Sequence, residues 1–306
     1  MSDESHLQVT RQDGSSSLSL SKVLSGLIAR GRSDAAMLPA RQEAKCEEQR
    51  LGLISLVEVE VWNGRPTEEV REAAEKGDVK QQEILAWRCW IESLKDKVRA
   101  SSYAAEAIMW HRRAADQSYP PAQFNIAWWY DARFGDTQSG PDYVQAAHWY
   151  RKAADQGYAP AQYNLAVMYS SGEGVAQDHA EAVRWYRKAA DQGLSQARFN
   201  LGLKYDKGEG VAQDYAEAAK WYRKAAEQGH MTAQKALAIL YLGGKGAPQD
   251  LVLAHMWTDI TASLSQGEQR KTYAQWRDHI AALMTPAQIA EAQRLARNWQ
   301  PIKEDT

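Results

Sequence analysis

Apolar residues recur every three to four positions along most of the chain beyond residue 73, and Gly and Asp break the pattern at regular intervals. Between Ala153 and Lys188, the residues Ala161, Leu165 and Tyr169 share one face of a predicted first helix. Gly172 and Gly174 follow and end it, because a left-handed backbone turn is cheap only for Gly. Asp178 has the type and place of an N-cap for a second helix. Ala182, Trp185, Tyr186 and Ala189 form that helix's apolar face, and Gly193 terminates it. Asp214 and Gly229 repeat these roles one unit later.

The unit is therefore a helix pair, and the pair recurs. Ala153–Lys188 and Ala189–Lys224 are offset by 36 residues and agree at about two thirds of their positions. A further copy opens at Ala225. Another opens at Ala114 and closes on Trp149-Tyr150-Arg151-Lys152, its extra residues falling in Phe134–Asp142. An eroded copy opens at Ala73. The units lie near 73–113, 114–152, 153–188, 189–224 and 225–260. One such pair cannot bury its own apolar face, whereas stacked pairs cover one another.

The shared pattern AAxxGxxxAQxxLxxxYxxGxGVxxDxxxAxxWYRK resembles the Sel1-like repeat family of bacterial type, a relative of the tetratricopeptide repeats. The resemblance spans residues 73–260 and implies an all-α fold, an α/α superhelical solenoid of helix-pair repeats. Residues 261–306 resemble the helical tail that often closes bacterial arrays of this kind. Helices are predicted near 250–263, 267–283 and 286–299, with Thr285 as N-cap, Pro286 at the first helical position and Gln288 placed to close a capping box. Residues 1–38 read as a disordered or amphipathic segment, with Leu18–Ile28 able to form an amphipathic helix. Residues 39–72 read as a helical N-terminal cap: Pro39 opens a helix to about Trp62, a short strand in Leu53–Trp62 is the alternative, and Thr67 is placed to cap the next helix.

Composition changes this picture little. The chain holds 12 Trp and 14 Tyr against 3 Phe, a bias toward rings with a polar handle that suits positions between helices or a binding surface. A net charge of −2 gives no electrostatic case for nucleic acid. No apolar run reaches the length of a membrane span, and the polar N-terminus does not read as a secretory signal, so the expected compartment is cytoplasmic. Cys46 and Cys89, the two cysteines, lack metal spacing and read as structural thiols, a single disulfide being the alternative.

No catalytic or metal-binding pattern emerges, and no cofactor is implied. The seven His are scattered, with no HExxH. His179 stands where the next copy has Tyr215, and His111 and His148 sit beside repeat Trp residues. The Gly-Glu-Gly turns lack the Lys-Ser/Thr of a phosphate loop. Some cysteine-rich relatives bind β-lactam-like compounds, but this chain lacks those cysteines and the activity does not carry over.

What the resemblance implies is a protein or peptide partner on the concave face of the array, where first helices line the groove. Mapped onto this chain, the lining is Phe124, Trp128 and Asp131, then Tyr163, Val167 and Ser170, then Phe199, Leu203 and Asp206, then Lys235 and Ile239. Asn125, Asn164 and Asn200 recur just before the Ile or Leu of each first helix. They are placed either to hydrogen-bond an extended peptide, as an Asn ladder does in some tetratricopeptide grooves, or to bond a neighbouring helix. The expected function is a non-catalytic adaptor or scaffold. Two alternatives stand beside it: an enzyme whose site the sequence does not reveal, and a regulatory or immunity-type protein that holds one partner through its N-terminal segment.

Overall fold

The computed structural model describes residues 66–95, 99–131 and 142–302. The expectations for residues 1–65 and for Cys46 lie outside this range. The described helices belong to two compact units that divide between Gln213 and Asp214.

In the first unit, helices α1 (Thr67–Glu75), α2 (Val79–Lys95), α3 (Ala100–Asp116), α4 (Pro120–Asp131), α5 (Tyr143–Asp155), α6 (Ala159–Ser171), α7 (His179–Asp191) and α8 (Ser195–Lys207) follow one another, each packing on the next. Thr67 is not a cap: Pro66 holds that place, and the Thr67 hydroxyl accepts from Arg88 Nη1 at 3.2 Å. The expected caps form elsewhere. Asp178 Oδ1 accepts from the amides of Ala180 and Glu181 at 2.9 and 3.0 Å, satisfying two donors that the helix leaves open. Asp142 does the same for Gln145. Gly172 closes α6 in the left-handed conformation.

The two helices of a pair differ in kind. Second helices are amphipathic: α7 buries Ala182, Val183, Trp185, Tyr186, Ala189 and Ala190 while Arg184, Arg187 and Lys188 stay exposed. First helices have almost no open side; in α6 only Ser171, at its end, is exposed. A helix with so little exposed surface lies between neighbours.

Buried glutamines tie one pair to the next. Gln82, Gln123 and Gln162 donate Nε2 to the carbonyls of Ala74, Ala115 and Ala154 at 2.9, 3.2 and 3.2 Å, each a second hydrogen bond on a carbonyl that already accepts from the turn amide of Gly77, Ser118 or Gly157. Gln117, Gln156 and Gln192 then donate to the side-chain oxygens of Gln82, Gln123 and Gln162 at 2.8, 2.7 and 2.8 Å. In α8 an Arg takes this place, with Arg198 Nε on the Ala190 carbonyl at 3.1 Å. On the second helices, Lys152 and Lys188 cover the rings of Trp149 and Trp185, their ammonium groups 4.2 and 3.9 Å from the ring centroids.

The second unit holds α9 (Tyr215–Glu227), α10 (Met231–Gly243), α11 (Leu251–Leu264), α12 (Gly267–Ala281) and α13 (Pro286–Asn298). Asp214 and Asp250 cap α9 and α11, and Gln234 donates to Ala226 at 3.2 Å as its counterparts do. Helix α11 packs against α10, α12 and α13. Thr285 and Gln288 form the expected capping box of α13. Among the described residues no helix is long and apolar enough to cross a membrane.

Candidate functional site

The first helices α4, α6 and α8 carry every residue singled out for binding in the first unit, and their packing sorts those residues into two groups. Phe124 and Tyr163 are 5% and 6% exposed, so neither opens on a groove as expected. Phe124 is covered by the rings of Tyr150 and Tyr158, both with centroids at 5.6 Å, and Tyr163 by Tyr186 at 5.9 Å. Tyr150 and Tyr186 belong to the second helices α5 and α7 and Tyr158 is the N-cap of α6, which is why counting along one helix places Phe124 and Tyr163 on the wrong side. On α6 the residue after Tyr163, Asn164, is the accessible one. Asn164 and Val167 on α6, and Asn200 and Leu203 on α8, are half-buried and spaced three apart, forming one line per helix. Trp128 continues the line on α4, half-buried and edge-on to Trp129 at 5.9 Å. Phe199, Asp131, Ser170 and Asp206 flank it, also half-buried. In the second unit Lys235 and Ile239 are half-buried, and Lys235 Nζ lies 5.5 Å from the Trp276 ring centroid.

The three Asn residues do not behave as one ladder. Asn125 is buried and donates Nδ2 to Glu83 Oε1, so it is a packing residue and is not open to a peptide. The same Glu83 oxygen accepts from Trp87 Nε1 at 3.1 Å, and the other from His111 Nδ1 at 3.0 Å. Three N–H donors thus satisfy a carboxylate deep in the first unit. Asn200 donates to the Tyr163 hydroxyl at 3.4 Å, whereas Asn164 makes no hydrogen bond among the described residues.

Three clusters escaped the sequence reading. The first is this Glu83 centre, which joins residues up to 42 positions apart. The second is Lys204, 5% exposed, whose ammonium donates to Ser170 Oγ at 2.7 Å and Glu209 Oε2 at 2.8 Å and approaches His179 Nδ1 at 3.4 Å. The ammonium holds the Glu209 carboxyl below its ordinary range. A lysine on a periodic apolar face was the available signal. The third is a cavity of about 600 Å³ between α1, α2 and α3, lined among others by Arg71, Leu85, Cys89, Ile91, Tyr103 and Glu106. Arg71 pairs with Glu106 at 2.6 Å. Burial, with the neighbouring Glu106, pushes the free thiol of Cys89 up to about 12, so it is a poor nucleophile. Among the described residues no group of three His, Cys, Asp or Glu side chains could hold a metal ion.

The Sel1 repeat family model matches residues 104–119, 120–158, 159–194, 195–230 and 232–265, more than half of the chain. Among solved structures, a Sel1 repeat protein from Oxalobacter formigenes shares 26% identity over 75% of this chain and 87% of its own, with a TM-score of 0.57. The crystal structure of c5321, a protective antigen of uropathogenic Escherichia coli with an SLR fold, shares 28% identity over 76% of this chain at a TM-score of 0.48. This chain spans 55% of that antigen's length. No curated protein matches it. With the family model repeated in five consecutive segments of an all-α chain, this protein belongs to the Sel1 repeat family, whose repeats are typically non-catalytic scaffolds for protein–protein interaction.

Proposed function

We propose that this protein is a non-catalytic adaptor that binds a peptide or protein segment along the accessible line of its first helices. One observation carries the reading: on helices with hardly an exposed residue, Asn164, Val167, Asn200 and Leu203 leave a half-buried line of alternating amide and apolar groups, continued by Trp128. Apolar groups supply burial, and an amide that both donates and accepts can pair with any peptide backbone. Asn164, which has no hydrogen-bond partner among the described residues, is the best placed of the Asn residues for that pairing.

Capture of binding proteins from the native cell by the full chain tests this. Asn164→Ala combined with Val167→Ser should remove the captured partner while leaving the thermal midpoint nearly unchanged. Arg184→Ala, on the exposed face of a second helix, should capture as the parent does. An undiminished partner with the double variant refutes the reading.

A further inference from the structure

Two successive repeat junctions of the first unit share one construction. In each, the loop after a first helix lays its second glycine on the opening residue of the preceding second helix: Gly174 on the backbone of Tyr143, and Gly210 on that of His179. Matching residues therefore keep matching places. At the later junction four such residues converge, Ser170, His179, Lys204 and Glu209, with the Lys204 ammonium at their centre. The residues that correspond at the earlier junction are Asp131, Tyr143, Met168 and Glu173.

The substitution changes the charge balance. The later junction closes one ammonium on one carboxylate. The earlier one has two carboxylates and a thioether where the ammonium would stem from. Asp131 Oδ2 accepts from the Tyr150 hydroxyl at 3.2 Å, and Glu173 Oε2 from the Ser171 hydroxyl at 3.0 Å, but among the described residues neither meets a cation. Both residues are half-buried. Burial pushes the Asp131 carboxyl up to about 6, the Tyr150 bond opposes this, and the charge of Glu173 adds to the rise. Two carboxylates with water could also hold a hard divalent ion, but the neighbouring repeat shows an ammonium seated at the matching place.

We propose that the junction formed by Asp131 and Glu173 receives a lysine side chain of the bound partner, its ammonium sitting where Lys204 Nζ sits one repeat later. This rests on the adaptor reading above, since Asp131 follows Trp128 by three residues and shares its helix face. A segment lying along the line would present its lysine at that end.

The test uses the full chain and Nα-acetyl-lysine methylamide, with the norleucine analogue as neutral comparison and calcium chloride as a divalent arm. Side-chain carboxyl NMR follows Asp131. The lysine probe should give a saturable shift and lower the Asp131 titration midpoint by about one unit or more. The norleucine analogue should do neither. Glu173→Gln should weaken probe binding about tenfold, and Met168→Lys, which supplies the ammonium from within, should abolish it. Equal responses to both analogues, a preference for calcium, or undiminished binding by Glu173→Gln overturns the proposal. Glu173→Gln decides the matter alone if Met168→Lys folds poorly. Loss of the lysine response with partner capture still dependent on Asn164 and Val167 would sink this site and leave the adaptor reading standing.

Discussion

Replacing Gly210 by Ala adds a single methyl where two repeats touch backbone to backbone, and Gly208→Ala provides a control two residues away. Both glycines are left-handed, with φ of +72° at Gly208 and +76° at Gly210, so each substitution carries about 1–2 kcal/mol of backbone strain. They differ in what the methyl meets. At Gly208 the nearest atom is the side-chain Cβ of Gln213 at 3.2 Å, which a small shift relieves. At Gly210 the methyl would overlap the carbonyl of His179 and lie 2.7 Å from the amide nitrogen of Ala180, and no rotamer relieves a clash with main chain. The loop must back away from α7, carrying Glu209 and loosening the Lys204 centre. Overpacking adds about 1–3 kcal/mol, so Gly210→Ala should cost about 2–5 kcal/mol against about 1–2 for Gly208→Ala. Urea denaturation followed by circular dichroism measures the difference. Repeat arrays can open in parts, so amide exchange in α7 and α8 should accompany it and show the loss concentrated there. Two variants equal within about 0.5 kcal/mol would refute the claim that this glycine is a repeat-to-repeat contact.

Asn125→Ala removes one donor from the buried Glu83 carboxylate and should cost about 1–3 kcal/mol in chemical denaturation, while Asn164→Ala, with no bond to lose, should stay within about 0.5 kcal/mol of the parent. Asp131 binds its proton more tightly in the folded chain, at about 6 against an ordinary 3.8, so stability should fall as pH rises through that window and remain lower above it. Asp131→Asn should flatten this slope and raise the pH 7 midpoint; an unchanged pH profile in thermal melts would count against the burial argument. In a Cys46→Ser background, Cys89 should react with an aromatic disulfide reagent only after denaturant is added, because its thiol is buried and its ionisation suppressed.

Elements set by neighbours in sequence were legible from the chain alone. The 36-residue spacing, the Asp178 and Asp214 caps, the Gly172 stop and the Thr285–Gln288 box depend on atoms a few residues apart, and each appears in the fold where the pattern placed it. The Sel1-type repeat followed from the same local regularity. Which residues of a first helix remain open was decided by other helices. Phe124 and Tyr163 vanish beneath Tyr150, Tyr158 and Tyr186, and Asn125 turns inward because Glu83, 42 residues earlier, needs a donor. Residues equivalent by sequence thus met different partners: Asn125 a carboxylate, Asn200 a phenol, Asn164 neither. A repeat pattern determines where a side chain points from its own helix. The charge and bulk of the adjoining repeat determine what it meets, and that arrangement exists only once the helices are stacked.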